Sequence, residues 1–295
     1  MAPPNGSLVR GNSHLLGLYL RGLAMGIAEV VPGVSGGTIA FVSGIYQELI
    51  DTLAGLRPGG VMVLVREGPR AFWATHNLTF LFVLALGMGT GIVLFSQLLS
   101  TWLAIAKPVV WAFFFGVIGS SVLVLAWPRE RRQLLFFMPP GLLLGIAVSQ
   151  LEPMGTSTAT WSYFFGGMIA VSAWLLPAVS GSFLLLVMGL YEGVLGALSE
   201  LKWAILLSLA AGCALGLLAF ANLLSWLLRR YQEQIISLLT GFMAGSLWRL
   251  WPWASDGMLS PEAYVAATDG SAWLVECGIA VCAGVLVVWL LSRLK

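Results

Sequence analysis

Apolar runs close to 20 residues recur along this 295-residue chain, at about 78–99, 108–127, 134–150, 203–228, 234–251 and 273–292. A run of that length crosses a hydrocarbon core of ~30 Å as a helix. A helix also satisfies its own backbone where no water can. Composition agrees, with 59% hydrophobic and 9% charged residues and a mean hydropathy of +0.91, against roughly 25% charged in a soluble domain. An all-α polytopic membrane protein is expected. The net charge of +2 gives no reason to expect a nucleic-acid partner. Cys213, Cys277 and Cys282 fall in apolar segments without metal-ligand spacing, so a packing role is expected, with no metal and no cofactor. Arg21 and Glu29 interrupt the first apolar stretch, which argues against a cleaved signal peptide and leaves residues 1–12 as a cytoplasmic tail.

Two further segments, about 15–50 and 162–198, are broken rather than continuous. Residues 32–46 read PGVSGGTIAFVSGIY and residues 177–191 read PAVSGSFLLLVMGLY, so Pro32, Val34, Ser35, Gly36, Gly44 and Tyr46 recur 145 positions later. From Arg21 to Pro32 and from Gly37 to Glu48 is 11 residues each, or ~16 Å of helix. Arms of that length reach the membrane midplane, so each segment is expected to be a re-entrant hairpin, with two short spans as the alternative. A second match, at an offset of 125, sets Ala85, Gly87, Gly91 and Phe95 on Ala210, Gly212, Gly216 and Phe220. The third spans show no convincing match.

The expected organisation is therefore two repeats, 13–155 and 156–295, each a hairpin followed by three spans. An odd number of crossings inverts the second repeat relative to the first. That arrangement is typical of secondary transporters, whose site lies at the midplane where broken helices meet. Twelve of the 15 basic residues fall on the side of the N-terminus, Lys107, Lys202 and Arg249 on the other. The positive-inside rule then places both termini in the cytoplasm. Gly87/Gly91, Gly141/Gly145, Gly212/Gly216 and Gly241/Gly245 carry the spacing for close helix contact.

Pro32 lacks an N–H and disfavours helix before it, so it ends the first arm. Gly33, Gly36 and Gly37 permit a tight turn. The next arm starts with unpaired N–H groups in a region without water. Those donors, the Ser35 hydroxyl and the positive end of the helix dipole together suit an anion, above all a phosphate. Pro177, Ser180, Gly181 and Ser182 repeat the device. The blander alternative makes both breaks kinks whose donors are filled by the protein itself.

Glu29 lies one turn before the first break, and its repeat counterpart is Trp174. An intramembrane carboxylate is a functional candidate by default. A phosphate bound nearby would favour its neutral form by charge repulsion, so Glu29 is expected to couple substrate movement to a proton. A static ion pair or helix cap is the alternative. Arg21 and Arg249 are candidate counter-charges without an assignable position, and Glu48, Asp51 and Glu192 are expected at solvated arm ends.

The run GIAEVVPGVSGGTIAFVSGIYQELI (26–50) together with PAVSGSFLLLVMGLYE (177–192) resembles the bacterial polyprenyl-phosphate transporter family, over essentially the whole chain. The resemblance implies a multi-pass protein of the bacterial cytoplasmic membrane that returns undecaprenyl phosphate from the outer to the inner leaflet. Its motifs fall on Glu29, Pro32, Gly33, Ser35, Gly36, Gly37 and Thr38, and on Pro177, Ser180, Gly181 and Ser182. Ala178 stands where the family usually has glycine. The implied partners are the lipid substrate and bulk membrane lipids, with a homodimer allowed. Two alternatives are an ion-coupled carrier of a small anion and a membrane-embedded polyprenyl-pyrophosphate phosphatase. Phosphoryl transfer needs a cation or arginine to neutralise the moving group, and neither break motif contains Arg or Lys.

Overall fold

The computed structural model describes residues 12–31, 34–56, 60–152, 159–254, 258–268 and 270–293. Pro32, Gly33 and the tail expected over 1–12, apart from Asn12, lie outside the described residues. Among the described residues there is no strand, only an isolated bridge between Ala254 and Met258.

The first broken segment forms α1 (Asn12–Val30), α2 (Gly36–Val42) and α3 (Tyr46–Gly55). Two short helices follow, α4 (Gly60–Glu67) and α5 (Pro69–Thr75), before α6 (Leu78–Ile105), α7 (Lys107–Ala126) and α8 (Arg131–Ser149). The second broken segment repeats the pattern with α9 (Thr160–Trp174), α10 (Gly181–Val187) and α11 (Tyr191–Ser199). Then come α12 (Trp203–Arg230), α13 (Gln232–Ser246), the short α14 (Pro261–Thr268) and α15 (Leu274–Arg293).

Five helices, α6, α7, α8, α12 and α15, are long and apolar enough to cross a membrane, and the bent pair α10–α11 would make a sixth. Their exposed surface is rich in Leu, Val, Ile and Phe, and Trp127, Trp161 and Trp203 project at helix ends, as lipid-facing helices with interfacial anchors do. The chain is a multi-pass membrane protein. α13 stops short of the run 234–251. From Leu247 to Leu250 each N–H bonds three residues back, and this tightening of the last turn precedes Pro252.

Each broken segment carries a second break that the arm-length reading treats as continuous helix. α2 ends at Gly44 (φ 77°) and α10 at Gly189 (φ 66°). At both, the N–H after the glycine bonds back five residues, Ile45 to the Ala40 carbonyl and Leu190 to the Leu185 carbonyl. That is the left-handed glycine stop described by Schellman, and a residue with a Cβ would be strained there. The axes of α10 and α11 meet at 105°. The repeated glycine is therefore a corner within each broken segment.

Helix pairing follows the glycines. α1 packs on α6 and α9 on α12, whereas α7 packs on α15 and α8 on α13. A Cβ on Gly87, Gly91, Gly212, Gly216, Gly141, Gly145, Gly241 or Gly245 would fall on a facing backbone carbonyl, so these backbones touch directly. The last two pairings cross the boundary expected between 155 and 156. The segments on the two sides of that boundary therefore interlock, α7 with α15 and α8 with α13. The core runs through α1, α2, α3, α7 and α13, and every residue of α2 is buried.

Candidate functional site

The two break regions meet, although 129 to 145 residues separate their contacting groups in sequence. Glu29, near the end of α1, is half-buried, and its Oε1 accepts two hydrogen bonds of 2.7 Å. One donor is the Gly36 N–H at the start of α2. The other is the indole N–H of Trp174 at the end of α9. Glu29 and Trp174 are the equivalent positions of the two repeats, and they bind each other. A carboxylate at this place accepts one of the orphan donors of α2 and offsets its positive end.

Two further donors at the start of α2 are also taken from within. Ser35 caps α2, its hydroxyl accepting the Gly37 N–H at 3.1 Å, and the Thr38 N–H bonds the Ser35 carbonyl at 2.9 Å. The Ser35 hydroxyl also lies 3.5 Å from the Trp174 carbonyl. The blander alternative, donors filled by protein, thus describes the first break in this conformation.

Two further bonds stitch α2 and α3 to the turn between α9 and α10. Thr38 Oγ1, fully buried, accepts the Ala178 N–H at 2.8 Å. The Tyr46 hydroxyl donates to the Leu175 carbonyl at 2.8 Å. A Cβ on Gly37 would press on the Trp174 and Leu176 carbonyls at 3.2 and 3.4 Å, so this close approach needs glycine. Pro177 is buried in the turn, and Ala178 adopts φ 66°. A left-handed backbone costs an alanine roughly 1–2 kcal/mol, and the hydrogen bond that its N–H donates to Thr38 helps to hold it there.

The second tip differs from the first. Ser180 precedes α10 but gives it no side-chain cap, and its hydroxyl pairs with that of Ser182 at 2.8 Å. Ser182 is exposed, whereas Gly36, Gly37 and Thr38 are buried. Gly181 packs its Cα side against the Ala170 carbonyl and Trp174. The first tip is closed and internally satisfied; the second is open.

Toward the end of the first broken segment, a polar cleft of about 680 Å³ is lined by Gln47, Glu48, Asp51, Thr52, His76, Asn77 and Arg229 among others. Asn77 donates to Glu48 at 3.0 Å, and Asp51 accepts from Ser225 and pairs with Arg229 at 3.2 Å. Asp51 is therefore a tie between α3 and α12 rather than a freely solvated end. Among the three arginines at 129–132, Arg129 pairs with Glu233, while Arg131 heads an apolar groove on α8 formed by Leu134, Leu135, Met138, Pro139 and Leu142.

A family model described as undecaprenyl phosphate translocase-like matches residues 25–268, which include both tips. The chain belongs to that family. A polyprenyl-phosphate transporter of Vibrio cholerae serotype O1 is 41% identical over 243 residues, covering 81% of this chain and 79% of the relative. A polyprenyl-phosphate transporter of Staphylococcus aureus is 32% identical over 258 residues, covering 79% of this chain and 85% of the relative. No solved structure matches the chain.

Within this family member, the structure brings together Glu29, Ser35, Gly36, Gly37 and Thr38 from the first motif with the 174–182 turn that holds Pro177, Ser180, Gly181 and Ser182. The sequence marks Trp174 only as the non-acidic counterpart of Glu29, and Tyr46 only as a repeated residue without a role. A signal for Trp174 existed. An indole N–H is complementary to a carboxylate, and equivalent positions of a repeat meet wherever a two-fold axis passes between them.

Proposed function

We propose that this chain returns undecaprenyl phosphate from the outer to the inner leaflet of the bacterial cytoplasmic membrane. The phosphate would bind between the two hairpin tips while the isoprenoid tail stays in lipid. The observation that carries this reading is the direct contact of two repeated break motifs at a Glu29–Trp174 hydrogen bond. A doubled break meeting inside a membrane bundle is the usual setting of a transporter site. The two relatives named as polyprenyl-phosphate transporters support the substrate class.

In this proposal the repeats are inverted, the first hairpin enters from the cytoplasm and the second from outside, and both termini are cytoplasmic. The balance of basic residues supports that orientation. Ser35, Gly36, Gly37 and Thr38 face the substrate from one tip, and Ser180, Gly181 and Ser182 from the other.

Glu29 is the coupling residue. Its carboxylate stands where a phosphate oxygen would bind, on the Gly36 N–H. Protonation removes the charge that makes its two hydrogen bonds strong, releases those donors and leaves a neutral group beside the incoming phosphate. Proton and phosphate binding then favour each other. An ion-coupled carrier of a small anion would use the same geometry, but the names of the relatives favour the lipid; no observation favours the phosphatase.

The test is leaflet-specific accessibility of undecaprenyl phosphate in vesicles holding the full chain. Wild-type protein is expected to equilibrate the lipid between leaflets, and Ser35→Ala and Ser180→Ala to slow it. Movement at the protein-free rate would sink the function. Unimpaired movement in both variants would sink the site.

A further inference from the structure

Arg249 lies just beyond α13, in the turns that end it, and its guanidinium rests on the second tip. Its Cζ is 4.2 Å from the centre of the Phe183 ring. Phe183 is buried and directly follows Ser180, Gly181 and Ser182. One nitrogen, Nη1, donates to the Ser149 carbonyl at the end of α8 at 3.0 Å. Among the described residues no carboxylate comes within 4.0 Å of this guanidinium.

A guanidinium carries five N–H donors, and the Ser149 carbonyl engages one nitrogen. Capping α8 is a sufficient role for that one bond, since a cation is favoured at a helix C-terminus. It does not account for a half-buried cation without an anionic partner among the described residues, which is unfavourable unless an anion arrives. The ring below and the carbonyl at one side restrain the group. Its remaining donors lie in the guanidinium's own plane, the geometry that recognises phosphate oxygens in pairs. The 125-residue offset sets Val124 at the equivalent place in the first repeat, so the two tips carry opposite chemistry: a carboxylate at the first, a guanidinium at the second.

We propose that Arg249 is the head-group recognition residue of the second tip, binding a phosphate monoester through a two-pronged contact. The inference deepens the transport reading and rests on it for the isoprenoid part of the ligand. In the orientation proposed above, the second tip opens outward, and Arg249 captures the head group from the outer leaflet.

The experiment measures binding of farnesyl phosphate, farnesol and inorganic phosphate to the purified full chain, as wild type, Arg249→Gln and Arg249→Lys. Arg249→Gln is expected to weaken farnesyl phosphate about tenfold or more, the worth of a charge-assisted contact, and to leave farnesol unchanged. Arg249→Lys keeps the charge but loses the fork, and should lower the phosphate-to-alcohol ratio by less. If the Gln variant does not fold, the Lys variant decides: a ratio equal to wild type overturns the two-pronged assignment. Equal weakening of both farnesyl ligands in Arg249→Gln, with a lowered thermal midpoint, overturns it in favour of a capping role. Inorganic phosphate competing as well as farnesyl phosphate supports the phosphate contact and makes free phosphate its source.

The vesicle assay separates the two ideas. Arg249-dependent phosphate binding without lipid movement refutes the transport reading and keeps the residue's role. Lipid movement with unaltered head-group discrimination in Arg249→Gln refutes the residue's role and keeps transport.

Discussion

Thr38→Val tests the junction of the two tips most directly. Valine matches threonine in shape, so no cavity opens, but the acceptor for the Ala178 N–H disappears. That N–H is buried and bonded at 2.8 Å to a fully buried hydroxyl. A buried donor left unsatisfied costs about 1–3 kcal/mol. The turn it holds is already strained at Ala178 (φ 66°), so the cost should sit toward the upper half of that range. Thr38→Ser keeps the acceptor and should lose well under half as much. The assay is equilibrium unfolding of the purified chain in mixed micelles, followed by tryptophan fluorescence, with lipid movement measured in parallel. Thr38→Val as stable as both wild type and Thr38→Ser would refute the bridging role. If movement then fell with stability intact, the Thr38 hydroxyl would serve the substrate and not the junction.

Other outcomes follow from the same geometry. Glu29→Gln keeps an acceptor for Gly36 and Trp174 but has no titratable proton, so transport rates should lose their pH dependence; an unchanged profile removes the coupling role. Ala178→Gly relieves roughly 1–2 kcal/mol of left-handed strain against about 0.5–1 kcal/mol of added chain entropy, so unfolding should show a gain between nothing and about 1.5 kcal/mol. Gly241→Ala drives a Cβ onto the Met138 carbonyl and should destabilise the chain by about 1–3 kcal/mol or more, read as a lower unfolding midpoint. Asp51→Asn loosens a pair whose arginine side chain is 65% exposed, and an exposed pair is worth only about 0.2–1 kcal/mol. Its unfolding curve should barely move.

The relation between sequence and structure is uneven along the chain. Helices α6, α7, α8, α12 and α15 follow the apolar runs closely, because a helix is the way a continuous apolar segment satisfies its backbone in lipid. The paired glycines mark close contacts correctly, since only a missing Cβ lets two backbones touch. They do not name the partner. Nothing local tells Gly141 that it meets Leu238, or Gly116 that it meets Val281, because lipid-facing helices share a generic composition that many neighbours would fit. α8 and α15, which share no recognisable sequence, nonetheless take matching places, on α13 and α7 respectively.

At the site, the sequence alone determined the class of the protein, the doubled break and the isolation of Glu29, all consequences of apolar length and of the backbone chemistry of proline and glycine. Only the tertiary structure decided which groups those breaks address. It set the Glu29 carboxylate on Gly36 and Trp174, committed the Thr38 hydroxyl to Ala178, turned Gly44 and Gly189 into corners and brought Arg249 to Phe183. Each of these is a meeting of segments far apart in the chain, and such meetings depend on how two interlocked repeats pack rather than on any local propensity.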